Sequence, residues 1–291
     1  CDVALTYHRF DESLRCHYCG ANYKMPKTCP SCGREYIKYT GIGTQQVEEQ
    51  LKLVFPNVRC LRMDMDTTSG KTAHRDILDA FTRREADVLI GTQMVAKGLD
   101  IPNVTLVGVV FADSTLFHSD FRSSERTFQL LTQVAGRAGR ADKEGRVVIQ
   151  TNAPGHRAIR LCTKHDYKTF YNLEIGDRLR TLFPPFAVFV RAQFACADEN
   201  AAADAAERFA NGVTKTILTA LKPANAENEL VFALAGAAPI RRREGLFRYA
   251  VIIKLVRTAN TAAAINAIYA FSDGCADECY LGIEVNPQDM L

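Results

Sequence analysis

Asp87-Val88-Leu89-Ile90-Gly91-Thr92-Gln93-Met94-Val95-Ala96-Lys97-Gly98 is the stretch on which the fold turns. Val88, Leu89 and Ile90 are consecutive and apolar, as in a strand buried on both faces. Thr92 and Gln93 follow with side chains that bond phosphate oxygens, and Lys97 adds positive charge. A polar, cationic segment at the carboxyl end of a buried strand is where α/β sheets bind ligands. Outward from it the pattern alternates. Residues 58–64, 104–111 and 146–151 read as strands. Residues 73–84 read as a helix with Ile77, Leu78 and Phe81 at helical spacing, and residues 128–134 belong to another. Strands alternating with helices predict an α/β domain built on a parallel sheet.

The rest of the chain bounds that reading. With 291 residues, 47% hydrophobic and 24% charged, the composition is globular rather than disordered or fibrous. The length fits two domains and a small third module. Lys and Arg number 36 against 33 Asp and Glu, so the net charge of +3 does not by itself argue for a nucleic-acid partner. No apolar run reaches the roughly 18 residues of a membrane span. The start, Cys1-Asp2-Val3-Ala4, carries no initiator Met and no secretory pattern. The expectations are a cytoplasmic location and a chain that begins inside a longer protein.

Cysteine is concentrated at the start. Cys16-His17-Tyr18-Cys19 and Cys29-Pro30-Ser31-Cys32 are two Cys-x-x-Cys pairs, each followed by glycine, Gly20 and Gly33. Each pair can turn both sulfurs toward one metal, and four thiolates in a tetrahedron suit zinc. Glycine after the second sulfur permits the positive φ of such turns. Cys1 stands apart. Either Cys16, Cys19, Cys29 and Cys32 close one site with Cys1 free, or Cys1 is the end of a pair begun upstream in a two-zinc arrangement. His8 and His17 read as surface histidines near the knuckles. Cys60, Cys162, Cys196, Cys275 and Cys279 read as separate thiols, ahead of a third metal site at Cys275 and Cys279.

Thr68-Ser69-Gly70-Lys71-Thr72 has the ending of a phosphate loop, but the required glycine five positions before Gly70 is Met65. The segment reads as a surface loop ahead of the 73–84 helix, and no complete nucleotide site is present. Gln133-Val134-Ala135-Gly136-Arg137-Ala138-Gly139-Arg140 is sharper. Arg137 and Arg140, three apart, share one side of a helix or turn. Small residues between them let a partner surface approach. Such a fork stabilises phosphoryl charge supplied by a neighbouring domain.

Beyond about residue 178 these patterns stop. Leu182-Phe183-Pro184-Pro185-Phe186 is a break. Residues 187–196, 230–234, 247–256 and 281–285 read as strands, and 199–221 and 259–271 as helices. This β-α-β-β-α-β order predicts a small α+β domain. Arg241, Arg242 and Arg243, with Arg248 close behind, read equally as a nucleic-acid backbone patch or a solvated hairpin loop.

Gly41-Ile42-Gly43-Thr44-Gln45-Gln46-Val47-Glu48, residues 90–98 and residues 133–140 resemble motifs IV, V and VI of superfamily 2 helicases. With cysteine knuckles placed directly before motif IV, the chain resembles the primosomal replication-restart helicases, the PriA family. Asp64-Met65-Asp66-Thr67-Thr68, Asp120-Phe121-Arg122-Ser123-Ser124-Glu125-Arg126 and Ile283-Glu284-Val285-Asn286-Pro287 are similar to segments of that family as well.

The resemblance implies the C-terminal part of an ATP-dependent, 3′-to-5′ DNA helicase that recognises stalled forks and restarts replication through primosome assembly. The implied divisions are a cysteine-rich zinc module at 1–39, incomplete at its start, a RecA-like second motor lobe at 40–177, and an α+β domain at 178–291 for DNA or partners. Arg137 and Arg140 would be arginine fingers, with Gln133 in the same cleft. Gly41 and Thr44 would contact phosphate, and Thr92, Gln93 and Lys97 would couple the cleft to DNA. Cys1, Cys16 and Cys19 would share one zinc, and Cys29 and Cys32 another, each completed by upstream cysteines. The resemblance also favours DNA or single-stranded-DNA-binding protein as the partner of Arg241, Arg242, Arg243 and Arg248.

Implied cofactors are two Zn²⁺, with ATP and Mg²⁺ in the whole enzyme. Implied partners are forked and single-stranded DNA, single-stranded-DNA-binding protein, primosome proteins and the replicative helicase, with no membrane, acting as a monomer. Lacking Walker A and B, this chain alone should not hydrolyse ATP. The rivals are a catalytically inactive zinc-stabilised DNA-binding adaptor and another superfamily 2 repair helicase.

Overall fold

A computed structural model describes residues 6–8, 12–15, 22–30, 32–35, 43–64, 67, 73–92, 95, 104–117, 120–136, 138, 145–221, 230–275 and 279–288. The chain separates into two compact units, residues 38–174 and residues 1–37 with 175–291.

At the start, β1 (Thr6–His8), β2 (Ser13–Arg15) and β3 (Asn22–Lys24) form an antiparallel meander. Thr6 pairs with Arg15, and Ser13 with Lys24. Positive φ at Glu12 turns the chain into β2.

In the 38–174 unit, α1 (Thr44–Val54) leads to β4 (Cys60–Met63), and α2 (Ala73–Thr82) to β5 (Val88–Gly91). β4 and β5 pair in parallel, with Met63 opposite Gly91. Met63 and Ile90 are buried beneath them. Gly91 is required by space: a Cβ there would lie 2.6 Å from the Met63 carbonyl oxygen of the neighbouring strand. α2 half-buries Ile77, Leu78 and Phe81 as its spacing predicts. It stops at Thr82 because Arg84 takes a left-handed φ of 62°. Arg84 N–H then bonds Phe81 and Glu85 N–H bonds Ala80, the double closure of a Schellman end.

The same unit continues with β6 (Leu106–Val109), α3 (Asp113–Leu116), α4 (Ser123–Ala135), β7 (Arg146–Ile149) and α5 (Arg157–Cys162). β6 and β7 are again parallel, Leu106 opposite Arg146. The expected parallel pairing is therefore found in two separate two-stranded ladders among the described residues. β6 and β7 are not covered on both sides as their apolar runs predict. Leu106 and Val148 share an exposed face, while Val107 and Val109 are half-buried. The core gathers Ala112, Leu116, Phe128, Leu131, Ile159, Leu161 and Phe170, with Phe128 stacked on Phe170 at 4.2 Å between centroids.

α6 (Tyr167–Thr181) ends ahead of the predicted proline break, because Leu182 turns left-handed and Phe183 N–H reaches back to Arg178. Then follow β8 (Ala187–Cys196), α7 (Glu199–Ala220), β9 (Leu230–Arg243), β10 (Leu246–Val256), α8 (Thr261–Ser272) and β11 (Tyr280–Val285). The sheet order is β11-β8-β10-β9, antiparallel throughout, the split βαβ topology. Both helices cover one face. Val188, Val190, Ala192 and Phe194 of β8 and Val251, Ile253 and Leu255 of β10 meet Phe209, Val213 and Ile217 of α7 and Ile268 of α8. Gly212 leaves room for Phe271, whose Cζ would sit 2.2 Å from a Cβ there.

Two expectations are corrected here. β9 runs on to Arg243, so Arg241, Arg242 and Arg243 end a strand rather than form a loop. Only Glu244 and Gly245, both at positive φ, make the turn to β10, the two-residue hairpin geometry. Cys196 and Cys279 are not separate thiols. They form a disulfide between the end of β8 and the entry to β11, where the pairing of Tyr280 with Ala195 brings their backbones together. Cys60 and Cys162 are free thiols, and the Cys275 thiol donates to the Phe271 carbonyl at 3.3 Å. No helix among the described residues is long and apolar enough to cross a membrane.

Candidate functional site

Of the residues singled out in the sequence, Thr92 and, through Asp64, Thr44 lie at the carboxyl ends of β4 and β5. Because Met63 pairs with Gly91, Asp64 and Thr92 emerge side by side from adjacent parallel strands. Thr92 is exposed, and its carbonyl accepts Val95 N–H at 3.0 Å in the turn that leaves β5. Thr44 opens α1 after an extended Gly43, and its hydroxyl donates to Asp64 Oδ2 at 2.6 Å. Asp64, 7% exposed, also accepts Thr67 N–H and hydroxyl, both at 3.0 Å, and lies 3.2 Å from Arg62 Nε. Burial pushes the Asp64 carboxyl upward. Hydrogen bonds from Thr44 and Thr67 and the Arg62 charge outweigh it, so the net shift is downward.

This clasp decides what α1 can offer a phosphate. The Thr44 proton is committed to Asp64, and no side chain caps the helix start. The backbone N–H groups of the first turn remain as donors, since the first intrahelical bond recorded there is from Val47 N–H to Gly43. Gly41, Gln93 and Lys97 lie outside the described residues.

Gln133 is exposed on the last turn of α4. Gly136 ends that helix by donating to Thr132 at 3.1 Å. Arg137 and Arg140 lie outside the described residues, and among those residues no hydrogen bond joins Gln133 to Thr44 or Thr92. The entry to α4 is rigid. Asp120, its side chain fully buried, accepts Arg122 N–H at 2.7 Å and lies 3.3 Å from Arg126 Nη1. Asp113, at the start of α3, accepts Thr151 hydroxyl and Asn152 N–H at 3.0 Å, tying the end of β7 to the end of β6. Asp64, Asp113 and Asp120 were not singled out from the sequence as site residues. Their one signal is an acidic residue just beyond an apolar strand or just before a helix.

In the C-terminal unit the arginines divide. Arg241 donates through Nε to Glu199 at 2.5 Å, and Tyr249 hydroxyl joins the same carboxylate at 3.2 Å. Arg242 lies 4.9 Å over the Phe247 ring, and Arg243 Nε lies 3.2 Å from Glu244. Arg248 donates to Gln193 at 2.8 Å. Arg243 and Arg248 line a groove of about 560 Å³ on the sheet face opposite the helices, together with Arg191, Gln193, Phe232 and Leu234. Arg191 meets Glu284 at 2.7 Å across β8 and β11. Arg191 and Gln193 escaped the sequence reading because alternate positions of β8 read only as a strand.

Of the cysteine knuckles, the second is described. Cys29 N–H donates to Arg34 carbonyl and Gly33 N–H to Cys29 carbonyl, both at 2.8 Å, with Gly33 at φ 69°. Cys29 is half-buried and Cys32 exposed, and neither is in a disulfide. Two thiols on one tight turn fit a zinc ion. Cys1, Cys16 and Cys19 lie outside the described residues, and among the described residues no group of three metal-binding side chains forms.

The helicase conserved C-terminal domain matches residues 36–142, and the PriA DNA helicase Cys-rich region matches residues 1–24. The replication restart protein PriA of Bacillus subtilis is 43% identical over all of this chain, which spans 35% of that relative. Those of Synechocystis and Haemophilus influenzae are 39% and 36% identical over 99% and 100% of the chain, which spans 34% and 38% of them. The chain thus covers about a third of the length of these relatives. The Pyrococcus furiosus Hef helicase domain overlaps 44% of the chain at 28% identity, with a TM-score of 0.23.

Proposed function

Because the chain belongs to the PriA family of replication restart proteins, we propose that it serves an ATP-dependent DNA helicase as second motor lobe, zinc module and C-terminal DNA- or partner-binding domain. The proposed divisions are 40–177, 1–39 and 178–291. The observation that carries the reading is the clasp at the ends of β4 and β5, where Asp64 holds Thr44 beside Thr92. It aims the free amides of α1 at the face where α/β sheets take ligands.

In this reading Gly41, Thr44, Thr92, Gln93 and Lys97 track a DNA backbone. Arg137 and Arg140 meet phosphoryl charge as it develops on a nucleotide bound by another lobe, with Gln133 beside them. The 291 residues contain no Gly-x-x-x-x-Gly-Lys, so turnover needs groups outside them. Cys29 and Cys32 would hold one zinc and Cys1, Cys16 and Cys19 would belong to another; the metal would fix the knuckles as folded units. Arg243 and Arg248 on the groove wall suit a nucleic-acid backbone or a contact with single-stranded-DNA-binding protein. Primosome proteins and the replicative helicase are the remaining partners the family suggests, with a cytoplasmic, monomeric protein.

The test is fluorescence anisotropy of the chain with forked and plain duplex DNA at several salt concentrations. A fork preference that survives moderate salt supports branch recognition within these residues. No DNA binding at low salt rejects the reading.

A further inference from the structure

The corner between α5 and α6 presents a surface that none of the motifs above uses. Tyr167 and Tyr171 stand four apart on α6, 59% and 49% exposed, with ring centroids 6.1 Å apart. Two large rings kept in water on one helix face call for an explanation, since none of the described residues covers them. Tyr167 is also braced from behind by Phe128, at 6.2 Å, which itself stacks on Phe170 in the core. Its outer face is therefore held in place at little further entropic cost when a flat partner arrives.

The charges around the rings share one sign. Arg160 at the end of α5, Lys164 in the connecting turn and Lys168 on α6 are all exposed, and among the described residues their side chains form no close ion pair. Of the nearby carboxylates, Asp166 feels the Lys164 charge, and both it and Glu174 hold other partners. Asp166 caps α6 by accepting Thr169 N–H at 3.0 Å, and Glu174 is buried against Arg157 at 2.8 Å. The turn itself is rigid: Asp166 N–H bonds Leu161 carbonyl and His165 takes a φ of 52°.

Exposed π-faces flanked by exposed cations are what a single strand of nucleic acid requires, bases on the rings and phosphates on the ammonium and guanidinium groups. A duplex hides its base faces and would gain only the charges. We propose that Tyr167 and Tyr171, with Arg160, Lys164 and Lys168, form a stacking site for single-stranded DNA. The proposal rests on the reading that this chain works on DNA and adds to it a site apart from the helicase motifs and the C-terminal groove.

The test uses the full 291-residue chain and fluorescein-labelled oligo-dT, read by anisotropy. Tyr167→Ala with Tyr171→Ala should weaken binding about tenfold or more, whereas Tyr167→Phe with Tyr171→Phe should stay within about twofold, because the π-faces remain. Lys164→Gln with Lys168→Gln should make the slope of log affinity against log salt shallower by about 1.4. The chain has no Trp, so quenching of its tyrosine fluorescence by oligo-dT should also shrink in the alanine variant. Wild-type binding to oligo-dT that both the alanine and the glutamine variants leave intact overturns this surface alone. A wild-type chain that binds no oligonucleotide at any salt overturns the DNA reading and this surface with it.

Discussion

At Asp64 one carboxylate with little access to water organises two segments twenty residues apart in sequence, α1 through Thr44 and the turn through Thr67. Thr44→Val removes a bond to a charged acceptor, for which about 1.5–3 kcal/mol is typical. The urea midpoint of the 38–174 unit should fall accordingly, and Thr44→Ser should restore it. Lys254 is the opposite kind of residue, a cation 7% exposed that donates to Thr181 carbonyl at 2.8 Å and lies 4.7 Å from the Phe183 ring centroid. Burial lowers its pKa. Between that lowered value and about 10.4 in the unfolded chain, only the unfolded state holds the proton, so stability rises with pH across the window. The stability of wild type relative to Lys254→Met should therefore climb as pH rises toward about 10.4. A difference that stays flat would show Lys254 to be unperturbed. The sequence marks Asp64 as the end of a strand and part of a family-like segment without its partners, and Lys254 sits at an alternate position of a strand whose other face is apolar.

The elements were more legible than their ends. The spacing of Ala206, Phe209, Val213 and Ile217 marks the buried stripe of α7, and the alternation over 187–196 marks β8 to the residue. The ends depend on backbone chemistry that side-chain patterns do not encode. α2 and α6 both stop at a left-handed residue that is not glycine, Arg84 and Leu182. Glycine tolerates that conformation without a Cβ penalty. Arg84→Gly should raise stability by up to about 1 kcal/mol in thermal or urea unfolding, the reverse of what glycine does inside a helix. The sequence marks only residues 230–234 of the fourteen-residue β9. As an edge strand it needs pairing on one side only, and irregularities that would disrupt a central strand are accommodated there.

Across the whole molecule, the motifs that revealed the family are those whose spacing is local: the knuckles, the strand end at Gly91 and the Gly-Arg repeat. What stayed hidden was made by distant residues meeting. The groove needs β8, β9 and β10 side by side, and the Cys196–Cys279 bond joins positions 83 apart. A cross-link closing a loop of that size stabilises by about 4 kcal/mol in the chain-entropy picture. Reduction should therefore lower the melting temperature of the C-terminal unit and leave the 38–174 unit unmoved. Cys196→Ser should reproduce the effect without reductant. Unchanged melting after complete reduction, verified by thiol alkylation, would show the bond to be mechanically idle.

β9 has a further consequence. Fourteen residues of strand at the rim of a sheet form a template on which another copy of the chain could add itself. Here the rim is spoiled along its outer half. Pro239 lacks a donor, the register slips between Phe247 and Tyr249 of the neighbouring strand, and three arginines close the strand with charge. These irregularities guard the strand against self-assembly, while the groove on the face away from the helices stays open to visitors that are not copies of itself.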